Sequence, residues 1–137
     1  AIRKTKGNKV CHIILRGGAG QPNYEAEFVN DASTKLAAAG VVDKVMVDFS
    51  HANSAKQYKR QLDVCTDVAA QISSGNDALF AVMVESHLVE GQQKVVAGEP
   101  LTYGQSITDA CIGWDDTETV MAELAEAVLA RRALKAK

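Results

Sequence analysis

Three residues far apart in the chain, His51, Glu85 and Asp109, carry side chains that bind metals. One imidazole with two carboxylates suits Mn²⁺, Fe²⁺, Co²⁺ or Zn²⁺ and disfavours an all-oxygen Mg²⁺ or Ca²⁺ site. Arg16 is followed by Gly17 and Gly18, a pattern that suits an anion: the guanidinium offers a planar fork of donors, and glycines let backbone N–H groups approach. Each residue also has a plainer reading. Arg16 could pair with a carboxylate on a neighbouring strand, and a single histidine after a strand is often structural. Cys111 stands two residues beyond Asp109, close enough in sequence to lie near such a metal. His12, inside an apolar run, and His87 read as structural, and Cys65 reads as core.

These residues matter because of the elements that would carry them. Three near-continuous apolar runs, Val10 to Leu15, Val45 to Phe49 and Ala78 to Val84, suit strands buried on both faces of a parallel sheet. Helix-length segments follow each one. Tyr24 to Ala39 places Phe28, Val29, Ala32, Leu36 and Ala39 on one face and stops at Gly40. Ser54 to Ser73 places Tyr58, Leu62, Cys65, Val68, Ala69 and Ile72 on one face, with Ser54 as N-cap. Asp116 to Leu134 places Val120, Leu124, Ala127, Val128 and Ala130, with Thr117 as cap and Asp115, Asp116 and Glu118 near the positive end of the dipole. The order β-α-β-α-β-loop-α predicts an α/β fold with right-handed crossovers. The loop from Leu88 to Trp114 is long, but its apolar residues predict a packed, functional segment. Ligands of such sheets bind at the carboxyl ends of the strands. Those ends read Arg16-Gly17-Gly18, Asp48-Phe49-Ser50-His51-Ala52-Asn53 and Glu85-Ser86-His87.

Composition excludes several classes. The 137 residues are 47% hydrophobic and 23% charged, with a formal charge of −2, which argues against a nucleic-acid binder. The basic clusters at the two ends, Arg3, Lys4 and Lys6, and Arg131, Arg132, Lys135 and Lys137, read as solvated tails. No apolar run reaches membrane-span length. Three cysteines without CxxC spacing suit a reducing compartment, and with no signal peptide the expected location is the cytoplasm. The chain opens on Ala1-Ile2-Arg3 without an initiator Met, which predicts that it continues a longer polypeptide.

Four blocks carry a family resemblance: HIILRGG (His12 to Gly18) with Pro22-Asn23-Tyr24, DFSHANS (Asp48 to Ser54), VMVESHLVEGQQ (Val82 to Gln93) and GEPLTYGQSITDACIGWDDT (Gly98 to Thr117). In order and over nearly the whole chain, they resemble the short, microbial, aromatic-amino-acid-regulated type of 3-deoxy-D-arabino-heptulosonate 7-phosphate (DAHP) synthase. The resemblance implies a (β/α)₈ TIM barrel of about 250 residues. Residues 1–137 would be the C-terminal part of that single catalytic domain, supplying the last three βα units.

The resemblance also implies the chemistry. His51, Glu85 and Asp109 match three of four ligands to a divalent metal. The fourth, a cysteine in the preceding part of the barrel, has no match among Cys11, Cys65 and Cys111. Arg16 matches an arginine that holds phosphoenolpyruvate, and His51 would act as a ligand rather than a free general base. The double bond of phosphoenolpyruvate attacks the aldehyde carbon of erythrose 4-phosphate. Water adds at the substituted carbon, and phosphate leaves after C–O cleavage. The chain alone would then be inactive, lacking one ligand and five strands, and would bind another chain or aggregate. Its partner would be the missing N-terminal part or, as a homo-oligomer, another copy. Two other readings stand beside this one: the related 3-deoxy-D-manno-octulosonate 8-phosphate synthase, and a non-catalytic α/β binding fragment.

Overall fold

The computed structural model describes residues 1–8 and 10–136, so Lys137 of the C-terminal basic cluster lies outside the described residues. The chain order is β1 (Ile13–Leu15), α1 (Ala26–Ala38), β2 (Val45–Asp48), α2 (Gln61–Ser73), β3 (Leu79–Met83), β4 (Val89–Gln92), β5 (Gln105–Ser106) and α3 (Trp114–Lys135). The first three strands form a parallel sheet in the order β1-β2-β3, as the apolar runs predict. Ile13 stands opposite Val45 and Leu15 opposite Val47. Between β2 and β3 the register slips: Val45 faces Leu79 while Met46 faces Ala81, which leaves Phe80 without an opposite residue.

The core lies between this sheet and the helices. Val47, Phe49 and Leu79 pack with Val64, Cys65, Val68 and Ile72 of α2 and with Val120 and Ala127 of α3. Cys65 is fully buried, and burial, reinforced by Glu123, pushes its thiol up to about 12. It is core, as its helical position predicts, and too hard to ionise to act as a nucleophile.

Both glycine stops work by the same physics. Gly40 has φ +68; its N–H donates to Ala37 O at 3.0 Å and that of Val41 to Leu36 O at 3.2 Å, satisfying the last carbonyls of α1. Gly75, with φ +101, closes α2 through bonds to Ile72 O and from Asn76 N to Gln71 O.

Several expectations are corrected. The first strand is only Ile13–Leu15; Val10 is exposed, and His12 precedes the strand, its ring edge-on to Phe80 at 5.1 Å. Ile13 and Ile14 of β1 are each 40% exposed, and Phe80 and Met83 of β3 are exposed too, so neither outer strand is buried on both faces. The cause is topological: among the described residues the outer edges of β1 and β3 have no partner strand. On α1, Val29 is buried, but Phe28 and Ala39 are exposed. The helix α2 begins at Gln61, after a 3-10 turn at Tyr58–Arg60 and without a side-chain cap, not behind Ser54, because Ala55 and Lys56 have positive φ and interrupt a helix there. The helix α3 begins at Trp114 behind Gly113, and Thr117 sits within it, donating to Gly113 O at 2.8 Å. The long loop contains the paired strands β4 and β5.

The C-terminal basic cluster is not wholly solvated. Arg131 Nη1 donates to Asn76 O at 3.0 Å and Leu79 O at 2.8 Å, and Lys135 pairs with Asp77 at 2.5 Å. These bonds fasten α3 to the turn that enters β3. No described helix is long and apolar enough to cross a membrane.

Candidate metal centre

The three candidate ligands converge. One donor atom from each of His51, Glu85 and Asp109 lies within 4.8 Å of the others. Two ligands on one ion at about 2.0–2.3 Å each stand about 3.3–3.8 Å apart at tetrahedral angles, so an inward side-chain shift of up to about 1 Å would let all three share an ion. The donor set fits a divalent transition metal. His51 follows β2 and Glu85 follows β3, at the carboxyl edge of the three-stranded sheet, and Asp109 comes to them from the loop after β5 of the separate β4-β5 pair.

Two of the three, His51 and Glu85, are held by residues behind them, while Asp109 is exposed. His51 Nδ1 lies 2.9 Å from Asp48 Oδ2, a close contact that is not aligned as a hydrogen bond. Nε2 faces the cluster instead, 3.7 Å from Glu85 Oε1. A carboxylate behind one imidazole nitrogen leaves the other as the metal-facing one. Ser50 Oγ donates to Glu85 Oε2 at 2.7 Å, and its backbone N–H donates to Asp48 Oδ1 at 2.9 Å. Gln61, fully buried at the start of α2, accepts from Glu85 N at 2.8 Å and donates to Glu85 O at 3.0 Å. Its amide serves the end of β3 as a neighbouring strand would.

Asn53 is the wider clamp. Its Nδ2 donates to Leu15 O at 3.1 Å and to Asp48 O at 2.7 Å, and its Oδ1 accepts from Asn23 N at 2.8 Å. One buried amide thereby fixes the ends of β1 and β2 and the segment after the glycine turn.

The Arg16-Gly17-Gly18 turn works differently from its expected role. Gly17 N donates to Asn23 Oδ1 at 2.7 Å, and Gly18 N to Gln21 O at 3.0 Å. Both N–H groups are used internally, so neither is offered to an anion. Gly17 is needed for space: with φ +73, a Cβ there would stand 2.6 Å from Ala52 Cβ and 2.7 Å from Gln21 O. Arg16 itself lines the same cleft as the three ligands, a space of about 380 Å³, together with Ser50, Lys56 and Tyr58. No carboxylate among the described residues forms an ion pair with it, so the ion-pair alternative finds no support.

Cys111 is buried beside the cluster but is not one of its members. Its Sγ is turned to Asp109 O at 3.5 Å, and burial raises its thiol above the usual range. His87 is exposed and accepts from Leu88 N at 2.8 Å, a local structural bond. Sequence reading placed Asp48, Ser50 and Asn53 at the right edge without giving them roles, and it missed Gln61. The density of polar residues straight after an apolar strand is the only signal that marks the first three.

The Asp48 contact carries a prediction. Asp48→Asn keeps the shape but removes the charge behind His51. It is expected to weaken divalent-metal binding about 10–100-fold, the usual cost of losing a ligand's supporting carboxylate. Titration calorimetry with Mn²⁺ checks it, and an unchanged affinity would deny Asp48 that role.

Fold and site together define an α/β protein in which three candidate metal ligands converge beside the carboxyl ends of parallel strands, next to an arginine with no ion-pair partner among the described residues. The model of the DAHP synthetase I family matches residues 1–122, and the chain belongs to that family. It is 60% identical over 132 residues to a phospho-2-dehydro-3-deoxyheptonate aldolase of Haemophilus influenzae, covering 96% of this chain and 36% of that protein. It is 59% identical over 132 residues to the Phe-sensitive enzyme of that name from Escherichia coli K12, covering 96% of this chain and 37% of that protein. The solved structure of the Francisella tularensis enzyme of that name superposes with a TM-score of 0.87 at 48% identity, over 96% of this chain and 38% of that chain. The chain thus spans little more than a third of the relatives it matches.

Proposed function

We propose that this chain is the C-terminal part of a (β/α)₈-barrel DAHP synthase. The complete enzyme condenses phosphoenolpyruvate, erythrose 4-phosphate and water to DAHP and phosphate, the first step of the shikimate pathway to aromatic amino acids. The observation that carries this reading is the convergence of His51, Glu85 and Asp109 in one cleft with Arg16. Family membership then gives the reaction.

In this reading His51, Glu85 and Asp109 hold a divalent ion, Mn²⁺, Fe²⁺, Co²⁺ or Zn²⁺, with a cysteine from the preceding part of the barrel as fourth ligand. Such an ion supplies Lewis acidity toward the aldehyde oxygen of erythrose 4-phosphate or toward a water. Arg16 binds phosphoenolpyruvate through charge-assisted hydrogen bonds and orients its double bond toward the aldehyde carbon. Asp48 and Ser50 keep His51 and Glu85 pointed at one locus, so little reorganisation is needed during reaction. The partner of this segment is the rest of the same barrel, in a cytoplasmic homo-oligomer.

The test compares two proteins. The complete enzyme is expected to consume phosphoenolpyruvate only with both erythrose 4-phosphate and a divalent metal present. The isolated 137 residues are expected to be inactive and to self-associate at tens of micromolar, because the outer edges of β1 and β3 are open and Ile13, Ile14 and Met83 are exposed. Metal-dependent turnover by the pure 137-residue chain, sedimenting as a monomer, would sink the reading of an incomplete site.

A further inference from the structure

We propose that Lys56 is a second anion-binding residue of this cleft, taking a phosphate or carboxylate group of the substrate alongside Arg16. The inference rests on the reading of the cleft as a site for phosphorylated substrates and extends it to a residue outside the ligand set and the arginine. Lys56 lines the same space as Arg16, His51, Glu85 and Asp109. Among the described residues no carboxylate pairs with it, in contrast to Lys59 three positions on, which pairs with Glu90 and Asp116.

The backbone gives a second reason. Ala55 and Lys56 are both left-handed, with φ +50 and +58, and His51 has φ +56. That conformation is strained for side chains with a Cβ and free of strain for glycine. The turn by itself would therefore favour glycine at position 56, and what the lysine adds is its ammonium group. The turn is also closed on the candidate ligand: Lys56 N donates to His51 O at 2.8 Å, and Ala55 N to Ala52 O at 3.1 Å. The backbone of Lys56 is thus tied to that of His51 in one short hydrogen-bonded loop, and the exposed lysine side chain reaches the cleft on its flexible stem.

Charge gives the third. Of the groups lining the cleft, Arg16 and Lys56 offset Glu85 and Asp109. A bound divalent cation then leaves these lining groups with an excess of two positive charges, or of one when the fourth ligand is counted as a cysteine thiolate, and this excess draws in an anion. An ammonium is a compact charge with three donors and suits a phosphate or carboxylate oxygen approached from any side.

The test uses the complete enzyme loaded with Mn²⁺ and its Lys56→Met, Lys56→Arg and Lys56→Gly variants. Affinities for phosphoenolpyruvate and for Mn²⁺ are measured by calorimetry, and the KM for erythrose 4-phosphate by turnover. Lys56→Met is expected to weaken one of the two substrates by at least about tenfold, with Mn²⁺ affinity held within about twofold. Which substrate weakens says which anion the ammonium holds. Lys56→Arg should recover most of the loss. Lys56→Gly should show the same loss as Met although it relaxes the backbone, which separates lost charge from a disturbed loop. Unchanged phosphoenolpyruvate affinity together with an unchanged KM for erythrose 4-phosphate overturns the proposal. A wild-type enzyme that binds phosphoenolpyruvate through Lys56 but makes no DAHP keeps the anion site and overturns the synthase reading instead. A wild-type enzyme that binds neither substrate overturns both.

Discussion

Glu85→Ala in the complete enzyme is expected to abolish metal binding and turnover together, each by about a thousandfold or more. Losing one of the protein ligands removes several kcal/mol of interaction with the cation, and about 4 kcal/mol corresponds to a factor of a thousand. Glu85 is the pivotal member because both of its oxygens are committed. Oε2 accepts from Ser50 Oγ at 2.7 Å, and Oε1 stands 3.7 Å from His51 Nε2, on the side where an ion would sit. The backbone should survive the change, since Gln61 holds Glu85 through its N–H and C=O, which alanine retains. The loss should therefore appear in the Mn²⁺ titration without a matching fall in unfolding temperature. Glu85→Gln keeps an oxygen for Ser50 and separates charge from shape. Wild-type metal affinity in Glu85→Ala would place the ion elsewhere and remove the basis for the whole site.

Asn53→Ala should do the opposite, harming stability first and the site through it. The amide makes three hydrogen bonds, to Leu15 O, Asp48 O and Asn23 N, and the residue is 2% exposed. Its removal strands two carbonyls and one N–H in a place water barely reaches. At about 1–3 kcal/mol for each unsatisfied group, less some relaxation, the expected loss is about 3–5 kcal/mol. Denaturant unfolding of the complete enzyme should show the loss. Weaker Mn²⁺ binding should accompany it, because Asp48 and the turn that carries His51 lose their tie to β1. Asn53→Asp keeps the acceptor for Asn23 but sets a carboxylate oxygen against the two carbonyls and should recover nothing. A midpoint equal to wild type would show that water or neighbouring groups replace the clamp.

The element order and the candidate ligands were legible from the sequence because both rest on local patterns. Apolar runs bounded by glycines mark strands, and i, i+3, i+4 spacing marks helices. Boundaries were less legible where tertiary demands override propensity. Ser54 has the right residue type to cap a helix, but the left-handed residues His51, Ala55 and Lys56 hold the chain in a turn until Tyr58. The two glycines after Arg16 read as an anion cradle, but their N–H groups are taken by Asn23 and Gln21. Arg131 read as part of a solvated tail, yet it donates to carbonyls more than fifty residues away, at Asn76 and Leu79.

By itself, then, the sequence determined which residues could bind a metal or an anion, which runs form strands and helices, and which family the blocks resemble. Only the tertiary structure decided that His51, Glu85 and Asp109 meet within 4.8 Å, that Gln61 and Asn53 hold the strand ends, and that Lys56 shares a cleft with Arg16. The physical reason is the range of the interactions. Side-chain type and periodicity act over a few neighbouring residues and can be read along the chain. Convergence depends on strand register and on turns that bring together ligands 58 positions apart, His51 and Asp109, and set Arg16 in the same cleft, and no local pattern encodes such distances.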